Sequence, residues 1–275
     1  MSPPSPSADG AIAEIGVIGG SGLYALLDDA REVAVETPFG PPSDPLVVGE
    51  VEGRSVAFVS RHGADHRFPP HRIPYRANLW ALRSLGVRQV LGPCAVGGLR
   101  PELGPGSLVV LDQLVDRTSG RAQTFWDTGA VHVPFADPYC PQGRAVATRL
   151  AREAGWPVVE RGAIVVVEGP RFSTRAESHW YSAQGWSVVG MTGHPEAVLA
   201  RELALCYTAL ALVTDLDAGV EGGEPVTQAE VFRVFGENTA RLRELLLAVV
   251  AALPAERDCP CGSALDGTAA LDALP

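Results

Sequence analysis

The sequence predicts an α/β fold with a mostly parallel central sheet, and three observations carry that prediction. Apolar runs rich in Val, Leu and Ile recur along the chain, several nearly continuous, as strands buried on both faces require. Stretches with helical spacing of apolar residues lie between them, and such alternation is the pattern of helices packed on a parallel sheet. The 275 residues, 46% hydrophobic, suffice for one large core, and no repeat or linker divides them.

Strands are expected at 14–18, 46–49, 56–60, 89–92, 107–112, 163–168, 186–189 and 209–214. Helices are expected at 76–85, 144–154, 174–184, 196–205 and 228–253. Two of these helices open with the spacing of a capping box, Thr174 with Glu177 and Thr227 with Glu230. Pro195 stands where a first-turn proline starts another. Residues 1–10 are rich in Ser and Pro and read as a disordered arm, residues 11–254 as one domain, and residues 255–275 as an irregular C-terminal tail.

Charge excludes several chemistries. All 22 cationic side chains are arginine, so Schiff-base aldolases, pyridoxal-phosphate enzymes and Walker A loops, each of which needs a lysine, are ruled out. A net charge of −10 argues against nucleic-acid and anionic-membrane partners. The N-terminal arm lacks the basic start and apolar run of a signal peptide, and the apolar stretch 245–253 is too short to span ~30 Å of hydrocarbon. A cytoplasmic location is therefore expected.

Five cysteines, an odd number widely scattered, argue against a disulfide framework. Cys259-Pro260-Cys261 reads either as two accessible thiols on the tail or as a redox-active pair. Zinc needs further ligands, which the neighbouring sequence does not supply, so no metal is expected.

Four segments bear chemistry. Gly19-Gly20-Ser21-Gly22 follows the first strand, where convergent backbone N–H groups and the Ser21 hydroxyl suit an anion; a plain tight turn and a nicotinamide-binding turn are the alternatives. The segment 61–76 gathers Arg61, Arg67, Arg72 and Arg76 around His62, His66 and His71, a field that attracts phosphate and repels a dication, unless it is simply a solvated basic loop. Residues 168–178 place Phe172 and Ser173 between a buried strand and a capped helix, where ligands of parallel sheets collect. Asp215 and Asp217, two residues apart at a strand end, face one way. Mutual repulsion lets one such carboxyl stay protonated as an acid, with helix capping or a turn the ordinary reading of Asp217.

Together with Asp112-Gln113, Asp116-Arg117-Thr118, residues 123–127 and Pro138-Tyr139-Cys140-Pro141, these segments resemble the methylthioadenosine phosphorylase branch of the trimeric purine nucleoside phosphorylase family, in order from about Ile15 to about Leu247. The resemblance implies a homotrimer with a twisted mixed sheet flanked by helices. It implies phosphorolysis of a nucleoside to free base and sugar 1-phosphate, with inorganic phosphate as co-substrate and no metal or organic cofactor. The substrate so implied is 5′-methylthioadenosine, with adenosine, other 5′-substituted 5′-deoxyadenosines and 6-oxopurine nucleosides as the broader alternative. A nicotinamide oxidoreductase and a non-catalytic nucleoside-binding protein are the readings from other classes.

Carried over by position, phosphate falls to Ser21, Arg61, His62, Cys94, Ala95 and Thr192, with Cys94 where the family commonly has threonine. Ribose falls to Met191 and the purine to Phe172, Ser173, Asp215 and Asp217, with Asp215 the proton donor. His132 matches a residue that a neighbouring subunit contributes beside the 5′ group, and Gln228 and Val231 match positions lining the 5′ pocket.

Overall fold

The computed structural model describes residues 11–19, 27, 30–218, 220 and 226–275. In chain order its strands are β1 (Ile15–Gly19), β2 (Arg31–Val33), β3 (Leu46–Val51), β4 (Arg54–Ser60), β5 (Gln89–Gly98), β6 (Leu108–Val110), β7 (Gln113–Arg117), β8 (Val158–Val159), β9 (Ala163–Val167), β10 (Val188–Gly190) and β11 (Cys206–Leu216). Its helices are α1 (Tyr75–Ser84), α2 (Pro141–Glu153), α3 (Arg175–Ala183), α4 (Gly193–Glu202) and α5 (Gln228–Ala252). Each expected strand and helix is present, with ends shifted by a few residues except at β5, which runs six residues past its expected end at 92.

The eleven strands of the described residues join one mixed sheet, ordered β2-β3-β4-β1-β5-β10-β9-β7, with β11 branching from β5 and leading to β6 and β8. Parallel pairings dominate the centre: β1 with β4 and β5, β5 with β11, and β9 with β7 and β10. The antiparallel pairs are β2–β3, β3–β4, β5–β10 and β6–β11. Three strands escape a search for apolar runs. β2 is a three-residue edge, β8 has two residues, and β7 reads Gln-Leu-Val-Asp-Arg because its edge position leaves the polar residues in solvent.

Strand β11 shows why its run is continuously apolar. Tyr207, Ala209, Ala211 and Val213 enter one core cluster, while Leu210 and Leu212 enter the cluster on the opposite face. Helices α1 and α4 pack over the first face, and α2 and α5 cover the second. The long β5 forks the sheet: its first residues pair with β1 and its last with β10, while β11 runs beside it throughout. The ends of β4, β5, β10 and β11 thereby open around one hollow.

Helix starts follow local chemistry. Thr174 and Glu177 form the complete capping box of α3. At α5 Thr227 caps the Glu230 N–H, but the Glu230 carboxylate turns to Arg233, which leaves half a box. In α4 His194 has extended backbone (φ −123, ψ 133), so regular turns begin at Pro195.

Residues 255–275 form short 3-10 turns at Pro260–Ser263 and Leu271–Ala273, and Cys261 and Leu265 are fully buried. The expectation of two accessible tail thiols is therefore corrected: this segment packs on the body, and Cys261 joins Cys140 and Cys206 in a buried cluster with Cys259 at its edge. Among the described residues no helix is long and apolar enough to cross a membrane. The N-terminal arm lies outside the described residues.

Candidate active site

The forked sheet leaves a cavity of about 190 Å³ at the strand ends. Arg61 and His62 enter it just after β4, Cys94–Gly97 from β5, Met191 and Thr192 just after β10, and Thr214, Asp215 and Asp217 from the end of β11. Phe172 and Ser173 come from the turn before α3, and Val231, Phe232 and Phe235 from the first turns of α5. Of the expected site residues, Arg61, His62, Cys94, Ala95, Phe172, Ser173, Met191, Thr192, Asp215, Asp217 and Val231 are thus brought together.

The other three expected residues are not among the described lining of this cavity. Ser21 lies outside the described residues. Gln228 does not line the cavity: it is the exposed first residue of α5, one turn outward on the stripe that delivers Val231, Phe232 and Phe235. His132 is exposed and does not line the cavity of its own chain.

The basic segment disperses. Arg67 pairs with Asp44 and Asp65, and Arg76 with Asp127, so of its four arginines Arg61 alone reaches the cavity. Arg61 is 2% exposed, and its Nε and Nη2 donate to the two Glu196 oxygens at 2.8 Å each, while Nη1 donates to the Pro93 carbonyl at 2.9 Å. Burial opposes the guanidinium charge, but the field and hydrogen bonds of Glu196 outweigh it and hold Arg61 above its ordinary range. Tyr207 Oη donates to the same carboxylate at 2.5 Å.

His62 Nδ1 lies 2.9 Å from the Phe68 carbonyl. A carbonyl only accepts, so Nδ1 carries the hydrogen and Nε2 is left as an acceptor. Burial pushes His62 down to about 4, the Phe68 carbonyl opposing and Arg61 and His66 adding to the effect, so the ring is neutral at pH 7. Burial pushes the Cys94 thiol up to about 12. It therefore faces the cavity protonated.

At the other end, burial raises Asp215 to about 6, against a hydrogen bond from Thr214 Oγ1 at 2.8 Å and with smaller help from Asp217 and Glu230. Burial also raises Asp217, which accepts from Ser178 and Ser173. Repulsion between the two carboxylates is thus secondary to loss of water. Gly97 makes room for them: a Cβ there would stand 3.1 Å from Asp215 Oδ1 and 3.3 Å from Asp217 Cβ.

Two supporting residues went unread in the sequence. Glu196 looks like an ordinary first-turn acid of a helix, and nothing local marks its partner 135 residues away. Arg121 donates from a nearly buried guanidinium to the carbonyls of Met191 (2.8 Å), His194 (2.6 Å) and Glu168 (2.7 Å), tying the loop after β10 to the turn before α3. Gly169 in that turn has φ +65, and a Cβ there would meet Met191 Sδ at 2.6 Å, so only glycine fits both demands. His66 and Phe232 also line the cavity and were not singled out as binding residues.

The sequence profile of the phosphorylase superfamily matches residues 14–251. The chain is 66% identical to a purine nucleoside phosphorylase of Streptomyces coelicolor over 96% of this chain and 98% of that protein. It is 59% identical to an S-methyl-5′-thioadenosine phosphorylase of Mycolicibacterium smegmatis over 89% of this chain and 93% of that one. Its fold is similar to that of methylthioadenosine phosphorylase from Schistosoma mansoni in complex with adenine, with a TM-score of 0.85 and 38% identity over 89% of this chain and 93% of the other.

Proposed function

This chain belongs to the phosphorylase superfamily, and from that premise we propose that it catalyses phosphorolysis of 5′-methylthioadenosine to adenine and 5-methylthioribose 1-phosphate. The observation that carries the reading is the polarity of one cavity. Arg61 lies against Pro93 of β5, a buried Asp215 raised to about 6 lies beside Gly97 further along that strand, and His62, Met191, Thr192 and Asp217 line the same cavity. Relatives named S-methyl-5′-thioadenosine phosphorylase, at 59%, 57% and 48% identity, support the choice of nucleoside.

Departure of the base builds positive charge on the sugar and negative charge on the purine. Phosphate on the far face of the sugar offsets the first and is the nucleophile. Glu196 and Pro93 engage three of the five N–H groups of Arg61, which leaves two for phosphate oxygens. Because the Arg61–Glu196 pair is neutral as a unit, phosphate is held by directed donors rather than by bulk positive field. His62 Nε2 accepts from the P–OH of monoprotonated phosphate, and the Ala95 backbone, the Thr192 hydroxyl and Ser21 complete the cradle, with the Cys94 thiol a weak donor.

Protonated Asp215 donates to purine N7 as the bond to the sugar breaks. Asp217 and Ser173 accept from the exocyclic 6-amino group, and Phe172 lies against the ring. Val231, Phe232 and Phe235 offer the apolar wall that a methylthio group prefers over a hydroxyl. The proposal includes a cytoplasmic homotrimer in which His132 reaches a neighbouring subunit's site, and a reaction that needs no metal or organic cofactor.

A broader purine nucleoside phosphorylase is the second reading, favoured by the name of the relative at 66% identity. Initial rates on methylthioadenosine, adenosine, methylthioinosine and inosine at saturating phosphate separate the two. The proposal expects methylthioadenosine to lead and both 6-oxopurines to trail. Equal rates on amino and oxo bases contradict it.

A further inference from the structure

Four of the five cysteines converge on one point outside the nucleoside cavity. We propose that Cys140, Cys206, Cys259 and Cys261 form a tetrathiolate site for a zinc ion that fastens the C-terminal segment to the body of the fold.

The geometry suits a tetrahedral metal. The four Sγ atoms lie within 4.8 Å of one another, with Cys206–Cys259 at 3.4 Å and Cys140–Cys259 at 3.8 Å. Zinc–sulfur bonds of ~2.3 Å in a regular tetrahedron set sulfur atoms ~3.8 Å apart. All four are free thiols; Cys140, Cys206 and Cys261 are buried, and Cys259 is half-buried at the rim. An all-sulfur donor set selects zinc over the hard cations that prefer oxygen. Four protein ligands fill its coordination and leave no open position, so the ion is structural rather than catalytic.

The ligands come from three separate places in the fold. Cys140 caps the N-terminus of α2, where the Gly143 N–H points at its Sγ from 3.5 Å and favours the thiolate. Cys206 opens β11, and Cys259 and Cys261 flank the 3-10 turn of the tail. Arg83 donates to the Leu203 carbonyl at 3.1 Å and Arg257 to the Ala204 carbonyl at 2.8 Å, on the loop that leads to Cys206. Arg257, two residues before Cys259 and with its guanidinium against Gly262, brings positive charge to a site whose four thiolates and one dication carry a net double negative charge. The further ligands that the sequence around Cys259 does not supply thus arrive from 53 and 119 residues away.

The test uses the full chain purified under reducing conditions without chelator. Zinc is measured by elemental mass spectrometry and by its release to a colorimetric chelator on mercurial modification of the thiols. A single zinc per chain is expected, retained in Cys94→Ser and lost in the double variant Cys259→Ser, Cys261→Ser, with a lower Tm after zinc removal. Because the double variant can misfold, cobalt is also loaded into the wild type, where ligand-field bands of a tetrahedral tetrathiolate are expected. Reduced thiols that take up neither zinc nor cobalt stoichiometrically overturn the proposal. So does a chain isolated with these four cysteines in two disulfides.

Discussion

Glu196 grips Arg61, which lines the cavity, through two 2.8 Å hydrogen bonds, both side chains all but excluded from water. Removing one partner of such a pair strands a buried charge. Glu196→Ala is expected to cost ~3–5 kcal/mol in denaturant unfolding. Glu196→Gln keeps the shape and loses the charge; its milder effect should appear as a raised phosphate KM, because the guanidinium is no longer held by a carboxylate fork. Unaltered stability in Glu196→Ala contradicts the buried pairing.

Asp215→Asn separates activity from stability. Burial lifts the folded-state pKa to about 6 from an ordinary 3.8, so the folded chain binds this proton more tightly than the unfolded chain. The resulting stabilisation is complete below pH 3.8 and is lost as pH rises through about 6. An asparagine never ionises, so above pH 7 the variant is expected to be more stable by on the order of 2–3 kcal/mol. It has no acidic proton to give, so turnover of adenine nucleosides should fall ~10²–10⁴-fold and preference shift toward 6-oxopurines. Wild-type kcat/KM, corrected for phosphate ionisation, should decline above about pH 6. Unchanged adenine turnover in the variant contradicts the role of Asp215.

Cys94→Thr exchanges a weak donor for a hydroxyl at the phosphate end of the cavity. Since the thiol is already protonated, no charge is altered. A several-fold fall in phosphate KM with little change in kcat is expected from steady-state kinetics. An unchanged KM places Cys94 out of contact with phosphate.

The 5′ end is tested by neighbours on α5. Phe232→Ala should lower the kcat/KM ratio of methylthioadenosine to adenosine roughly tenfold, the scale of one or two methylenes in an apolar pocket. Gln228→Ala, one turn outward and exposed, should leave that ratio unaltered. Equal effects of the two substitutions contradict the placement of the methylthio group.

Most strands and helices were legible because the core demands them. The run through Ala209–Val213 is apolar on both faces because each face meets a different cluster. β7 was not legible, since its edge position tolerates Gln113, Asp116 and Arg117. In the site, Asp215 and Asp217 stood out as paired carboxylates at a strand end, and Arg61 as one of four arginines in a basic segment. Glu196 and the convergence of Cys140 and Cys206 on Cys259 and Cys261 did not, because only the tertiary fold brings such distant residues together. Gln228 lies on the right helical stripe, but periodicity does not tell where along the helix the cavity stops.

Phosphate dependence tests the central claim most directly. Purified protein is incubated with 5′-methylthioadenosine with and without inorganic phosphate, and base and sugar products are resolved. The account predicts adenine and 5-methylthioribose 1-phosphate in equal amounts when phosphate is present, and no release of adenine without it. Adenine released at the same rate without phosphate, or not at all with it, would contradict the account.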